Sequence, residues 1–161
     1  MDGMFGQMIS FAATGGIGGF RLGMSAEEAD RLLGGDTGLA VPGRSASDGM
    51  VGFKDGSLEV CVGFDATVRL LGLDAVDTEG RFATPARTGA AAQESIEAVG
   101  RADLINGLGQ LGCGWSHEAA LSFDDQLAIR TDADVTVVFT RPDPPATGWL
   151  VASLYGSADG G

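Results

Sequence analysis

The single histidine of the chain, His117, is the first residue to test for chemistry. Histidine often acts as a general base because its imidazole exchanges a proton near neutral pH. A serine hydrolase of the nucleophile-elbow type would need a Gly-x-Ser-x-Gly turn, and the sequence contains none. Cys113 lies in the same short segment, too close to His117 for the usual thiol-protease arrangement. These residues predict a structural or surface role for His117 and a protein that is not an enzyme.

The glycine and cysteine patterns do not favour a cofactor or a metal ion. The glycine-rich run 15–19 lacks the Gly-Lys-Ser/Thr ending of a phosphate-binding loop, so it is interpreted as a turn. The sequence has no Asp-x-Asp-x-Asp-Gly calcium loop, and neither Cys61 nor Cys113 belongs to a Cys-x-x-Cys pair. We therefore expect no cofactor and no metal. The two cysteines are predicted to be reduced core residues, and a single disulfide is the alternative in an exported protein.

Four aspartates fall in two predicted turns and are candidates for contact with a partner. They are Asp124 and Asp125 in one turn and Asp132 and Asp134 in the next. Aspartate is common in turns because its carboxylate accepts hydrogen bonds from nearby backbone amides. The functional alternative is an acidic rim that attracts a basic protein. Because the two turns flank one strand, the two pairs are expected at opposite ends of the sheet.

Three large aromatic residues, Trp115, Trp149 and Tyr155, are the other candidates for partner binding. Such side chains are frequent interface anchors when they are exposed and frequent core residues when they are not. Alternation along residues 149–155 predicts that Trp149, Val151, Ser153 and Tyr155 share one face of a strand. Leu150, Ala152 and Leu154 would then face the core. An aromatic face would then be free for a partner.

The composition limits the kinds of partner that are plausible. The chain has 161 residues and a formal net charge of −12, with Lys54 as its only lysine. A strongly acidic protein is a poor match for the phosphates of nucleic acid and a good match for a basic protein. The arginine bias is typical of GC-rich bacterial genomes. No stretch is long and apolar enough for a signal or membrane segment, which predicts a cytoplasmic protein with no membrane partner.

Two helices are predicted to position these groups. Ser25 can cap a helix over 25–33, Glu28 can complete a capping box, and Gly34 can end the helix. The predicted apolar stripe of this helix is Ala29, Leu32 and Leu33. A second helical region is interrupted near Gly100, with its better part over 101–111, where internal glycines cost about 1 kcal/mol each relative to alanine.

Short apolar runs between turn residues predict the strands. They are Met50–Phe53, Leu58–Phe64, Val68–Val76, Ala119–Phe123, Gln126–Thr131, Val135–Arg141 and Trp149–Tyr155. Met8–Ala13 is predicted as a first strand or an apolar lead-in, and residues 77–93 as a connector. This order predicts an α+β protein with helices on one face of a curved antiparallel sheet. The single domain would consist of two similar halves, 1–80 and 81–161, each a helix followed by a meander.

The segment 19–34 resembles the fold shared by the β-lactamase inhibitor protein and the small lipoprotein of the outer-membrane β-barrel assembly machine. The matching residues are Phe20, Leu22, Gly23, Met24, Ser25, Glu27, Glu28, Leu32, Leu33 and Gly34. It is also similar to bacterial proteins proposed as immunity proteins against secreted toxins. The resemblance covers about a tenth of the chain, and it implies a fold and protein binding rather than one target. The sequence departs from the secreted members, which usually carry a signal peptide and two disulfides.

The leading functional prediction is an inhibitor, of the immunity type, that masks a basic toxin or enzyme. One alternative is a non-catalytic structural or assembly module that binds a partner by its sheet. Another is a small enzyme that uses His117.

Overall fold

A computed structural model describes residues 4–39, 50–63, 65–77, 79–85, 95–96, 98–123, 125–141 and 148–157. Its α-helices are α1 (Met4–Thr14), α2 (Ala26–Leu32) and α3 (Arg101–Gln110). Its strands are β1 (Met50–Asp55), β2 (Leu58–Gly63), β3 (Val68–Asp74), β4 (Phe82–Ala83), β5 (Ser95–Ile96), β6 (Trp115–His117), β7 (Gln126–Thr131), β8 (Thr136–Thr140) and β9 (Leu150–Ser157).

Seven of these strands form one antiparallel sheet in the order β1-β2-β3-β9-β8-β7-β6. The predicted meander β1–β2–β3 is present, and strands β6 to β9 form a second one. Pairing of β3 with β9 joins the two meanders edge to edge. The short strands β4 and β5 pair separately. The predicted α+β class is therefore confirmed.

The two faces of the sheet differ in burial. One transverse row consists of Leu58, Leu73, Leu154, Val137 and Ile129, all fully buried. The neighbouring row, whose side chains point to the other face because strand residues alternate, is Lys54, Glu59, Gly72, Tyr155, Thr136, Arg130 and Ser116. The first face packs into the hydrophobic core with residues of all three helices.

Residues Met8–Ala13 are helical, so the prediction of a strand or lead-in there is wrong. They belong to α1, whose buried residues are Met4, Gly6, Met8, Ile9, Phe11 and Ala12. A helix buried on most of its circumference has no polar face, and its apolar run cannot be told from a strand by periodicity. The Thr131 hydroxyl of β7 donates to the Ala12 carbonyl at 2.6 Å, which connects α1 to the buried face of the sheet.

The second helix confirms its sequence prediction at both ends. The Ser25 hydroxyl accepts a hydrogen bond from the Glu28 amide at 3.1 Å, as an N-cap does. Gly34 follows the helix with φ +103°, a conformation that glycine adopts at low cost. The predicted apolar stripe is only partly correct, since Leu33 is buried whereas Leu32 remains 38% exposed.

The third helix begins after Gly100, where the sequence predicts the break. Gly107 lies against Ile9 of α1, and a Cβ there would come within 2.6 Å of the Ile9 side chain. Glycine therefore allows α1 and α3 to approach closely.

The predicted strand Ala119–Phe123 in the second meander is wrong. Residues Ala119–Leu121 form a 3-10 turn instead of a strand, and the edge strand is β6, which lies before them. The Ser122 hydroxyl donates to the Glu118 carbonyl and accepts from the Ala128 amide, so this segment caps the edge of β7 through side-chain bonds.

Candidate functional site

An apolar groove lies beside α3 and brings together two of the predicted aromatic residues. Trp115 of β6 and Trp149, just before β9, line it together with Ile105 of α3. Its volume is about 630 Å³, within the usual range for ligand sites. Both tryptophans are half-buried and pack against the core. The groove therefore offers aromatic surface that is already fixed in position.

Backbone pairing holds the end of the groove near Trp149. The Arg101 amide donates to the Trp149 carbonyl at 2.9 Å, and the Val151 amide donates to the Val99 carbonyl at 2.8 Å. The start of α3 is thus hydrogen-bonded to the start of β9.

The cations beside the groove have different surroundings. Arg141 lies over the Trp149 ring, 5.3 Å from its centroid, and is 3.4 Å from the Asp125 carboxylate. Arg101 lines the groove, and its buried Nε has no hydrogen-bond partner among the described residues. The Arg101 side chain as a whole is partly exposed and forms no ion pair with a described carboxylate, so the exposed part of its guanidinium can pair with an anionic group from outside the chain.

His117 lies in the exposed edge strand β6, on the same face as Trp115. The two rings meet edge to face, with centroids 5.4 Å apart. Cys113, the other residue considered for chemistry, donates its thiol to the Gly114 carbonyl at 3.4 Å. In the described part of the chain, no group of three His, Cys, Asp or Glu side chains is arranged to hold a metal ion.

Tyr155 lies on the opposite face of the sheet from the groove. It pairs with Gly72 on one side and Thr136 on the other. Gly72 has no side chain beside Tyr155, and a Cβ at residue 72 would come within 3.1 Å of the Tyr155 Cβ. The prediction that Trp149 and Tyr155 share one face is therefore wrong.

A β-bulge explains this difference in β9. Ser153 pairs with Val138 whereas Val151 pairs with Phe139, so β9 has one more residue than β8 between these pairs. The extra residue inverts the alternation, and Val151 and Leu154 both face the core. Trp149 lies before the bulge and Tyr155 after it.

The predicted aspartates lie at opposite ends of β7, as the sequence predicts. Asp125 precedes the strand and pairs with Arg141, whereas Asp132 and Asp134 follow it. Asp132 accepts a hydrogen bond from the Gly114 amide at 3.0 Å, and Asp134 has φ +61°, which aspartate tolerates in turns. Neither forms a salt bridge with a described basic residue. The fourth residue, Asp124, lies outside the described residues.

The row that contains Tyr155 carries ion pairs towards both of its ends. At one end, the Lys54 ammonium lies 3.2 Å from Glu59 and 3.3 Å from Asp74. The hydrogen bond to Glu59 has the largest effect on the pKa of Lys54 and raises it, and Asp74 raises it further. Burial lowers this pKa, but the net shift is upward. At the other end, Arg130 lies 3.4 Å from Glu118. The flanking charges are thus largely compensated, in contrast to the Asp132–Asp134 turn.

Sequence reasoning missed Arg101 and Arg141 as neighbours of the aromatic residues. Arg101 and Ile105 are four residues apart on α3, and this spacing places both on one helix face. That signal could have been recognised from the sequence. The contact of Arg141 with Trp149 depends on how β8 and β9 meet, and local spacing does not encode it.

Comparison with known proteins gives no relative: no protein-family model, curated protein or solved structure matches this chain. None of the helices in the described ranges is long and apolar enough to cross a membrane.

Proposed function

We propose that this protein binds and masks a basic protein partner without catalysing a reaction, as immunity and inhibitor proteins do. In this proposal the chain is one domain of two similar halves, 1–80 and 81–161, with helices on one sheet face. The other face meets the partner. Both cysteines are unpaired, which supports action in the reducing cytoplasm.

The observation that carries the proposal is the position of Tyr155 near the turn of Asp132 and Asp134. Tyr155 pairs with Thr136, which is two residues beyond Asp134. At about 3.3 Å per strand residue, the turn lies about 7 Å from this position along β8. A tyrosine on a sheet face next to uncompensated carboxylates offers an aromatic anchor and an attractive charge at one end of the sheet.

The whole-chain charge favours a basic partner at this surface. The net charge of −12 attracts cations at long range, and the two turn carboxylates are not neutralised by described arginine or lysine residues. Electrostatic attraction of this kind mainly raises the association rate and weakens with salt. Tyr155 would supply the short-range contact that slows dissociation.

Affinity capture and binding kinetics test the proposal. The immobilised protein is incubated with lysate of its source cells, and captured proteins are identified and compared with the products of neighbouring reading frames. We expect a basic protein whose activity falls when the purified pair is mixed. Tyr155→Ala should weaken binding at least about tenfold. Asp132→Asn with Asp134→Asn should lower the association rate and its salt dependence.

A matched control removes two carboxylates elsewhere. Glu27→Gln with Glu28→Gln changes the net charge equally but alters α2, and it should retain the wild-type salt dependence. His117→Ala should bind and inhibit as the wild type does. The proposal is wrong if no basic protein is captured, or if Tyr155→Ala binds the captured partner as tightly as the wild type.

A further inference from the structure

The groove beside α3 differs in charge from the chain as a whole. The protein carries twenty-two acidic and ten basic residues, yet among the described residues that line this groove the charged one is Arg101. Asp103, the acidic residue in the first turn of α3, does not line it. The described lining residues therefore carry a charge opposite in sign to the net charge of the chain.

Arg101 has no anionic partner in the described structure. No ion pair to a described carboxylate involves it, and its buried Nε lacks a hydrogen-bond acceptor. Arg141, the other nearby cation, is already paired with Asp125. The Arg101 charge is therefore uncompensated by described carboxylates, and a carboxylate is the group whose geometry best matches the exposed part of a guanidinium.

The remaining lining of the groove suits a large apolar side chain. Ile105, Trp115 and Trp149 supply aliphatic and aromatic surface, and Asn106 adds an amide at the side. The hydrogen bond from the Arg101 amide to the Trp149 carbonyl holds the charged and aromatic groups together. Such preorganisation reduces the entropy cost of binding.

We infer that this groove binds a protein segment that carries large apolar side chains beside carboxylates. The apolar side chains contact Trp115, Trp149 and Ile105, and a carboxylate pairs with Arg101. This site lies on the face of the sheet opposite Tyr155, so it is independent of the surface proposed for the basic partner.

The two tryptophans make the inference directly measurable. They are the only tryptophans of the chain, and both line the groove, so intrinsic tryptophan fluorescence reports on this site. The probe is the peptide acetyl-Leu-Phe-Glu-Glu-amide, and the matched probe is acetyl-Leu-Phe-Lys-Lys-amide. Titration with the glutamate peptide should shift the emission saturably. The lysine peptide should not, although the net charge of −12 attracts it.

Variants of the protein separate the effect of pairing with Arg101 in the groove from the effect of a change in net charge. Arg101→Gln should weaken binding of the glutamate peptide by about tenfold or more, since it removes a charge-assisted hydrogen bond. Arg21→Gln removes the same charge from an exposed position that does not line the groove, and this variant should bind the glutamate peptide as the wild type does. Trp115→Phe and Trp149→Phe, each with one remaining reporter, should weaken binding of the glutamate peptide by about twofold to fivefold, because each replaces an indole of the groove with a smaller ring.

Three results would overturn the inference. The first is an equal response to the lysine peptide, and the second is unchanged affinity of Arg101→Gln. The third is equally tight binding of the small acid 4-phenylbutyrate, which would assign the groove to a small molecule instead of a protein segment. Tyr155→Ala should bind the glutamate peptide normally, so failure here is distinguishable from failure of the proposed function.

Discussion

At the scale of single residues, one hydroxyl connects the first helix to the sheet. Thr131 donates to the Ala12 carbonyl at 2.6 Å and accepts from the Val135 amide at 3.3 Å, in a buried position. Thr131→Val should lower the free energy of unfolding by about 1–3 kcal/mol, because buried polar groups lose their partner. Urea denaturation measures this. Thr140→Val, at an exposed position of β8, is the control, and equal losses in both variants would contradict the explanation.

The thiol of Cys61 is predicted to react slowly in the folded protein. Burial, followed by the charge of Glu59, raises its pKa from 9.0 to about 11. At pH 8 its thiolate fraction should therefore be about a hundredfold smaller than that of an ordinary thiol. In a Cys113→Ser background, iodoacetamide should label the native protein slowly at pH 8 and faster as the pH rises towards 11. Glu59→Gln should accelerate labelling at pH 8.

The urea-unfolded protein provides the reference rate for this experiment. If the native thiol reacts at pH 8 as fast as the unfolded one, the burial and charge assigned to Cys61 are wrong.

At the scale of elements, two glycines of α3 should respond oppositely to the same substitution. Gly107→Ala places a methyl group within 2.6 Å of the buried Ile9 side chain, whereas Gly109 has nothing within 4 Å. Gly107→Ala should cost about 1–3 kcal/mol through overpacking. Gly109→Ala should stabilise the protein by about 0.5–1 kcal/mol, because alanine is the better helix former. Thermal and urea unfolding of both variants check the pair, and stabilisation by both would contradict the close helix contact.

Individual helices and strands show how far the sequence predicts this fold. Local signals predicted the break at Gly100 before α3, the Ser25 cap of α2 and the first meander, because caps, turns and alternation act over a few residues. They did not predict that α1 is helical, since its burial against α3 and the sheet removes the polar face on which periodicity depends. Nor did they predict the β9 bulge, which separates Trp149 from Tyr155 and depends on the pairing with β8.

The candidate site was predictable to a similar extent. The residue types of Trp115 and Trp149 indicated contact surfaces, but their convergence on one groove required the antiparallel order of the sheet. The aspartate positions followed from turn chemistry alone, as their placement at opposite ends of β7 shows. Whatever depends on residues distant in sequence, such as the pairing of Arg141 with Asp125, was beyond local patterns.

At the scale of the whole molecule, acid should destabilise the fold through three separate carboxylates, one in α2 and two in loops. The pKa of Asp30 is lowered by hydrogen bonds from the hydroxyl and amide of Thr37, and that of Asp65 chiefly by the Thr67 hydroxyl. The pKa of Asp77 is lowered chiefly by its bond with Arg81.

Each of these carboxyl groups has a lower pKa in the folded chain than in the unfolded chain, where the ordinary aspartate pKa of 3.8 applies. The stabilisation is therefore complete above about pH 4 and is lost as the pH falls through the lower folded values.

A substitution at Asp30 in α2 allows this pH dependence to be separated from the effect of a change in net charge. Asp30→Asn keeps an oxygen that can accept from the Thr37 amide, but it removes the carboxylate charge that strengthens both bonds. We expect this variant to be less stable than the wild type at pH 7, with a difference that shrinks towards pH 2.5 as the wild-type carboxylate becomes protonated. Asp134→Asn removes the same charge from a turn and is the control for the change in net charge. Thermal unfolding from pH 2.5 to pH 7 measures all three proteins, and a constant Asp30→Asn difference across that range would contradict the assigned role of Thr37.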